Sequence, residues 1–169
     1  MADFYTLITT LGQAAIAQAI ANNTQVGLTE MALGDSNGVY YEPTEGQTAL
    51  VHEVYRAAIN SIAINETHPN WIDVELVIPA NQGGWEIREA ALYSSAGVLI
   101  AVGKVPLTYK PLLEEGAGED LTMMLIMEVV NVEAITLLID PSIVMASRQY
   151  VDNALEDLEA EFRKYAFFH

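Results

Sequence analysis

The sequence predicts an α+β fold made mainly of antiparallel β-sheet or sandwich, with a short N-terminal helix and a coiled-coil-like C-terminal helix. About six or seven short segments are rich in β-branched and aromatic residues, as strands are. Most of the connections between them are short, as in antiparallel sheets, and few segments have a helical pattern. The final segment differs from the rest, because its apolar residues repeat with a heptad-like spacing.

Composition limits the classes of function. The chain has 169 residues, no cysteine and a net charge of −16, with 23 acidic and seven basic residues. This charge argues against binding to nucleic acid or to anionic membranes, which require clustered Lys and Arg. The N-terminus lacks the basic region of a secretory signal, and no apolar run approaches the ~20 residues of a membrane span. We therefore expect a soluble protein made in the cytoplasm, without nucleic-acid or membrane partners.

The first third of the chain predicts one helix and one strand. Residues 10–23, TLGQAAIAQAIANN, predict a short helix that Thr10 caps and that Asn22 and Asn23 end. Residues 26–34, VGLTEMALG, predict a strand that ends at the turn signal GDSNG.

The middle of the chain predicts a second helix and two strands. Residues 46–57 predict a short helix that passes into a strand over residues 57–65. Residues 71–79, WIDVELVIP, alternate in polarity, which predicts a half-buried strand. One predicted face carries Trp71, Asp73, Glu75 and Val77, and the other carries Ile72, Val74, Leu76 and Ile78.

A hairpin follows. Residues 83–93 and 97–105 predict two strands, and SSAG at residues 94–97 has the length of a hairpin loop. The two glycines of residues 107–120, LTYKPLLEEGAGED, predict a loop that begins after Pro106.

The end of the chain predicts a further hairpin and a helix. Residues 121–130 and 133–140 predict two strands that pair with each other across NVE. We place the boundary between a domain of residues 1–145 and a C-terminal helix of residues 146–169, with Ser147 as N-cap. Spacings of four and three residues favour a self-association seam made of Val151, Leu155, Leu158, Phe162 and Tyr165. Two heptads also allow the alternative that this helix packs on its own domain.

Three charged residues lie close together within the first hairpin strand. On a regular strand, Glu86 and Arg88 share one face with Ala90 and Leu92, while Glu89 lies on the opposite face. A structural polar network is the favoured interpretation, ahead of a docking contact and of catalysis, because no matched acid, base or nucleophile is evident. Arg88→Ala is therefore expected to destabilise the fold.

Other chemical motifs are incomplete. The GDS at residues 34–36 lacks the downstream Asp-x-x-His block of esterases, and the spacing of Asp35, Asn37 and Glu42 is not that of an EF-hand. His52 and His68 do not form a zinc motif. The glycines of EEGAGED lack the Lys of a phosphate-binding loop. We expect no cofactor, no metal site and no catalytic residues.

Several blocks together resemble one family. They are ITTLGQAAIAQA, MALGDSNG, QTALVHEVYRAAIN, VELVIPANQGGWEIREAALYSSAGVLIAVG, TYKP and ITLLIDPSIVMASRQYVDNAL, and they span about residues 5 to 155. In order and spacing they resemble the N-terminal, baseplate-attachment domain of tail-collar fibre proteins. Such proteins occur in contractile-tailed bacteriophages and in R-type phage-tail-like bacteriocins, or tailocins. The most specific block is IPANQGGWEIREAALYSSAGVLIAVG, with the GG-W-x-I-RE core of the family.

The resemblance implies a structural protein of the virion or tailocin tail, which attaches a trimeric fibre to a baseplate protein for host adsorption. It also implies a homotrimer, followed by a fibre shaft or assisted by a chaperone. Residues with a fold or interface role would be Gly83, Gly84, Trp85, Arg88, Glu89, Tyr109, Lys110 and Pro111. The chain lacks the shaft and tip of such fibres, so a truncated fibre, a short adaptor and part of a longer polypeptide all remain open.

Two alternatives come from other functional classes. Asp73 and Glu75 could serve as paired carboxylates of a small acidic carbohydrate hydrolase. Trp71 and Trp85 could stack on the sugars of a glycan in a binding module. The alternation around Asp73 and Glu75 instead favours the solvated side of a strand, and buried core tryptophans are commoner than sugar-stacking ones.

Overall fold

The computed structural model describes residues 4–112, 119–129 and 131–137, about half of which lie in β-strands. Among these residues there is a single α-helix, which lies near the N-terminus where the sequence predicted one. The elements are β1 (Tyr5–Ile8), α1 (Thr10–Ala21), β2 (Val26–Gly34), β3 (Glu53–Ala58), β4 (Ser61–Ile64), β5 (Trp71–Ile78), β6 (Trp85–Ser94), β7 (Leu99–Lys110), β8 (Leu121–Glu128) and β9 (Ile135–Leu137). The C-terminal helix predicted for residues 146–169 lies outside the described residues.

The strands form two sheets around a shared core. The larger sheet has the antiparallel order β1-β7-β6-β2-β3, and β9 pairs with β2 in parallel. The smaller sheet has the antiparallel order β4-β5-β8. Leu28 and Met31 of the larger sheet belong to the same buried cluster as Val74 and Leu76 of the smaller one. Burial of this shared apolar surface is the main force that holds the two sheets together.

Helix α1 begins one residue earlier than the sequence predicted. The cap is Thr9, whose hydroxyl accepts a hydrogen bond from the Gly12 N–H at 3.0 Å and donates to the Leu99 carbonyl at 2.5 Å. Thr9 is fully buried, so its hydroxyl serves the helix and β7 at once. The C-cap is Asn22, as predicted. None of the described helices is long and apolar enough to cross a membrane.

The alternation predicted for β5 is confirmed. The inner residues of this strand are at most 2% exposed, whereas the outer residues are all partly exposed. The buried side chains are those of Ile72, Val74, Leu76 and Ile78.

The helix predicted over residues 46–57 is wrong. This segment is the end of a long loop followed by β3, which pairs with β2. Val54 and Tyr55 suit a pleated sheet, and pairing with β2 outweighs the weak helical preference of their neighbours. The strand predicted over residues 57–65 is divided, because the chain crosses between sheets at Ile59 and Asn60, whose N–H groups bond to Thr29 and Glu75.

Two further predictions at the C-terminal side are wrong. Strand β7 does not end at Pro106 but continues to Lys110. The register with β6 shifts here, and a proline fits such a bulge because its missing N–H is not needed in the ladder. Strands β8 and β9 do not form a hairpin either, since β8 pairs with β5 and β9 with β2. Strand β1, which pairs with β7, was not predicted.

Candidate functional site

The glycine pair and the TYKP motif form one structural unit at the end of the larger sheet. Trp85 pairs with Lys110 across β6 and β7, and the Gly84 N–H donates to the Lys110 carbonyl at 2.6 Å. Gly83 has a φ of +152°, and a Cβ atom there would lie 2.6 Å from the same carbonyl oxygen. The close approach of the two chains therefore requires glycine at position 83.

Lys110 is a buried cation that ties this unit together. Lys110 is only 1% exposed, and its Nζ donates to the carbonyl oxygens of Gln82 at 2.8 Å and Pro111 at 3.0 Å. The neighbouring Tyr109 is 52% exposed, so its ring lies on the surface. Trp85 stacks on Tyr55 with ring centroids 5.4 Å apart.

The strand carrying the three charged residues is not regular. The register between β6 and β7 shifts between Ile87 and Glu89. Ile87 belongs to the main core together with Ala90 and Leu92. On a regular strand, an odd-numbered residue would point to the opposite face from these two even-numbered residues. The predicted common face of Arg88, Ala90 and Leu92 is therefore wrong, because the bulge exchanges the two faces.

Glu89 is a buried carboxylate that holds the chain before β3. Its oxygens accept hydrogen bonds from the backbone N–H groups of Val51 at 3.1 Å and His52 at 2.9 Å, and from the Tyr41 hydroxyl at 2.7 Å. Burial, together with the bond to Glu89, raises the pKa of Tyr41, although a bond from Gln47 opposes this. Glu89 thus satisfies two backbone donors and one side-chain donor inside the fold.

Arg88 holds the other end of the same loop. Its guanidinium donates to the Asp35 carbonyl at 3.0 Å and pairs with the Glu86 carboxylate at 2.7 Å. The Arg88 side chain is 11% exposed, but that of Glu86 is 46% exposed, so the carboxylate partner is largely solvated.

Asp35 contacts His52 across the ends of the loop. The His52 Nδ1 lies 2.7 Å from the Asp35 carboxylate, which also accepts from the Asn37 N–H at 2.9 Å. Burial acts to raise the pKa of Asp35, but the bonds from His52 and Asn37 outweigh it and hold the pKa below its usual value.

Lys104 fixes the middle of the loop. It lies opposite Glu89 in the sheet and is 6% exposed, and its Nζ pairs with the Glu42 carboxylate at 2.5 Å. The bonds from Lys104 and from the Tyr5 hydroxyl lower the pKa of Glu42. The Tyr40 hydroxyl donates to the Val105 carbonyl at 2.7 Å, which adds a further tie to β7.

Together Arg88, Glu89 and Lys104 form a loop anchor, which fastens the loop of residues 35–52 over β6 and β7. Beneath the loop, Leu50 packs in a separate apolar cluster on the outer face of the larger sheet. The arrangement therefore gives a long surface segment a fixed shape. The described residues contain no group of three or more potential metal ligands.

Sequence analysis singled out Arg88 and Glu89 but missed Lys104 and Tyr41, and it considered Glu42 only as part of a rejected calcium motif. A signal for Lys104 was available, because a lysine stands alone within the apolar run of β7 in a chain that has few basic residues. The partners of Glu89 lie between 37 and 48 residues away in sequence, so spacing could not reveal them.

The residues of the alternative functions lie elsewhere. Asp73 and Glu75 project from the outer side of β5, and Asp73 accepts a hydrogen bond from the Asn65 amide at 3.1 Å. Trp71 stacks on His68 with ring centroids 3.7 Å apart. The predicted seam residues Val151, Leu155, Leu158, Phe162 and Tyr165 lie outside the described residues.

Comparison with known proteins identifies relatives. The family model for "Phage tail-collar fibre protein, N-terminal" matches residues 1–149. The chain is 44% identical over 161 residues to a probable tail fiber protein of Escherichia phage P2. The alignment covers 95% of this chain but 24% of the P2 protein, so the chain spans about a quarter of the length of this relative. No solved structure matches the chain.

Proposed function

The chain belongs to the N-terminal family of phage tail-collar fibre proteins, a structural tail-fibre family, and from this membership we propose that it attaches a fibre to the baseplate of a contractile tail. The observation that carries the proposal is the family match over residues 1–149, since the family comprises the N-terminal part of fibre proteins. The attachment would serve host adsorption. The same role is open to a phage particle and to a tailocin.

The loop anchor supports a binding role. Docking to another protein costs less when the contacting segment is already ordered, because less conformational entropy is lost. The loop of residues 35–52 is held at both ends and in its middle by Arg88, Glu89 and Lys104. Arg88 and Glu89, two of the three charged residues for which catalysis was considered, are engaged with the backbone of this loop. We therefore propose a structural and not an enzymatic role.

The family resemblance extends the proposal to oligomeric state and partners. The chain would form a homotrimer, with the seam that begins at Val151 contributing to assembly, and would be followed by a fibre shaft or assisted by a chaperone. Gly83, Gly84 and Lys110 would shape one end of the domain, and Tyr109, which is 52% exposed, would lie at its surface. The location would be the tail of the particle.

A co-sedimentation experiment tests attachment. Tails purified from a fibre-deletion strain of the particle that encodes this chain would be mixed with the purified chain and centrifuged. We expect the chain to pellet with the fibre-free tails at a saturable ratio, and to pellet far less with tails that already carry fibres. Equal pelleting with both kinds of tail, or none with either, would overturn the proposal. Chemical cross-linking of the pellet would then identify the baseplate partner.

A further inference from the structure

The outer side of the smaller sheet combines exposed apolar side chains with carboxylates. Because side chains alternate along strands, the inner residues of β5 enter the core while their neighbours point outward. Met124 is 50% exposed and Ile126 is 41% exposed on the adjacent strand β8. We define this acidic apolar face as Trp71, Asp73, Glu75, Met124, Ile126 and Glu128, which are brought together by the register of β5 with β8.

The carboxylates of this face have no cationic partner among the described residues. Asp73 and Glu128 accept hydrogen bonds from the amides of Asn65 and Asn70, both at 3.1 Å. Glu75 lies directly opposite Met124 in the sheet. Each carboxylate therefore adds a negative charge to a partly apolar surface.

The basic side chains in the described part of the chain are all engaged in contacts within the fold. Arg56 pairs with Glu53 at 2.6 Å, and Arg88 and Lys104 pair with carboxylates around the loop. Lys110 is buried against backbone carbonyl groups. The surface described here consequently has carboxylates to offer to a partner and no unengaged Lys or Arg.

An apolar groove adjoins the face. It lies where β1 runs beside β8, has a volume of about 430 Å³, and is lined in part by Phe4, Pro106 and Met124. Lys104 also lines it, but its ammonium is paired with the Glu42 carboxylate. Met124 and Ile126 belong to both the groove and the face, so the two features are continuous. Phe4 is 49% exposed, which extends the apolar surface beyond the sheet.

We propose that the acidic apolar face and its groove dock a segment of another tail protein in which Lys or Arg residues flank apolar side chains; this inference rests on the proposed function. The apolar side chains would supply the buried centre of the contact, and the carboxylates would select cations at its rim. A second copy of this chain fits this face less well, because the described part of a second copy has no unengaged Lys or Arg to offer to the carboxylates. The remaining basic residues, Arg148, Arg163 and Lys164, lie outside the described residues.

The test uses co-sedimentation with purified fibre-free tails and two matched pairs of variants. The charge pair is Glu75→Gln with Glu128→Gln, against Glu119→Gln with Glu133→Gln, which are exposed carboxylates outside both the face and the loop of residues 35–52. We expect the first double variant to bind about threefold to tenfold more weakly and the second to bind like the wild type, since each exposed ion pair contributes little.

The apolar pair is Ile126→Ser against Ile20→Ser, an isoleucine of similar exposure on α1. We expect Ile126→Ser to weaken binding by about tenfold, because apolar area is buried at the proposed contact, and Ile20→Ser to leave it unchanged. Raising the ionic strength from about 0.05 M to about 0.5 M should also weaken wild-type binding, since salt screens exposed charges. Thermal unfolding curves establish that every variant is folded.

The outcomes separate this inference from the proposed function. Wild-type binding that neither salt nor either face variant reduces would overturn the inference and leave attachment intact. Absence of wild-type binding to fibre-free tails would overturn both. A loss of oligomeric mass in Ile126→Ser, measured by light scattering, would show that a second copy occupies the face and would overturn the inference as well.

Discussion

The buried carboxylate of Glu89 accepts a hydrogen bond from the backbone N–H of His52 at 2.9 Å, so that β6 fixes the chain just before β3. Glu89 is 1% exposed, which leaves no room for water to replace its donors. An ionised carboxylate has only acceptors, and that is what the donors of Val51, His52 and Tyr41 require. Arg88 and Glu89 thus hold the loop of residues 35–52 in place.

Glu89→Gln should lower the free energy of unfolding by about 2–3 kcal/mol. The new amide group turns one acceptor into a donor, which then faces an N–H or O–H donor in a buried site. Urea denaturation measures the loss. Glu86→Gln, at a half-exposed carboxylate, is the control and should cost less than about 1 kcal/mol. Equal urea midpoints for the two variants would contradict the role given to Glu89.

Arg88→Ala should lower the free energy of unfolding by about 1–2 kcal/mol. A fully buried partner would make the loss larger, about 3–5 kcal/mol, but the Glu86 carboxylate is 46% exposed and water solvates it. The loss would come from the Asp35 carbonyl, which loses its donor, and from packing of the Arg88 stem.

A double-mutant cycle separates these contributions. If Asp35 is the partner that matters, Arg88→Ala should cost nearly the same in the wild type and in a Glu86→Gln background. A coupling between positions 86 and 88 above about 1 kcal/mol would show that the ion pair dominates.

Gly83→Ala should destabilise the protein by about 2 kcal/mol or more. The added Cβ would lie 2.6 Å from the Lys110 carbonyl oxygen and 2.7 Å from that of Pro111, and both are backbone atoms that side-chain rotation cannot move. Gly46→Ala is the matched control, because a Cβ there meets no atom within 4 Å. Thermal unfolding should show a lower Tm for the first variant alone. A Tm for Gly83→Ala equal to that of Gly46→Ala would contradict the close approach.

Local patterns predicted the parts of the fold that local physics controls. The alternation of β5 fixes which of its side chains are buried, and Asn22 ends α1 where its backbone N–H can reach the Gln18 carbonyl. The errors arise where distant pairing decides. Residues 46–57 have no strong local preference for helix or strand, and pairing with β2 makes their second half a strand, β3. Pro106 signalled a strand end, but the bulge against β6 accommodates it.

The loop anchor could be predicted only in part, because distant pairing also decides its contacts. A charged pair within an apolar strand drew attention to Arg88 and Glu89, because buried charges need partners. Neither the partners nor the exchange of faces at the bulge could be read from the sequence. Tyr41 and His52 lie 48 and 37 residues from Glu89, and only the sheet brings them together.

Stability should fall as the pH is lowered towards about 3, owing partly to Asp35 and Glu42. Both carboxyls have a folded-state pKa below the ordinary values of 3.8 and 4.5. The folded chain therefore binds protons less tightly than the unfolded chain, so the stabilisation is complete above these values and is lost as pH falls through the lowered pKa.

The Glu42→Gln variant tests this pH dependence. Its urea midpoint should fall less steeply than that of the wild type below about pH 4.5, since one titrating group of lowered pKa is removed. Glu133→Gln, at an exposed carboxylate, is the control. An identical slope for the wild type and Glu42→Gln would show that the contact with Lys104 does not persist in solution.

Charged side chains introduced into the predicted C-terminal seam should dissociate the oligomer into monomers. Leu155→Asp with Leu158→Asp places two carboxylates at seam positions, so light scattering should show monomers that keep the β-sheet circular dichroism spectrum. Asn153→Asp with Ala160→Asp adds the same number of carboxylates outside the seam and should leave a trimer. The neighbouring acids, among them Asp152, Glu156 and Glu159, repel between chains, so added salt should tighten assembly or at least not weaken it. A wild-type monomer at high micromolar concentration and moderate salt would contradict a seam at this chain length, because helices this short are marginal without partners.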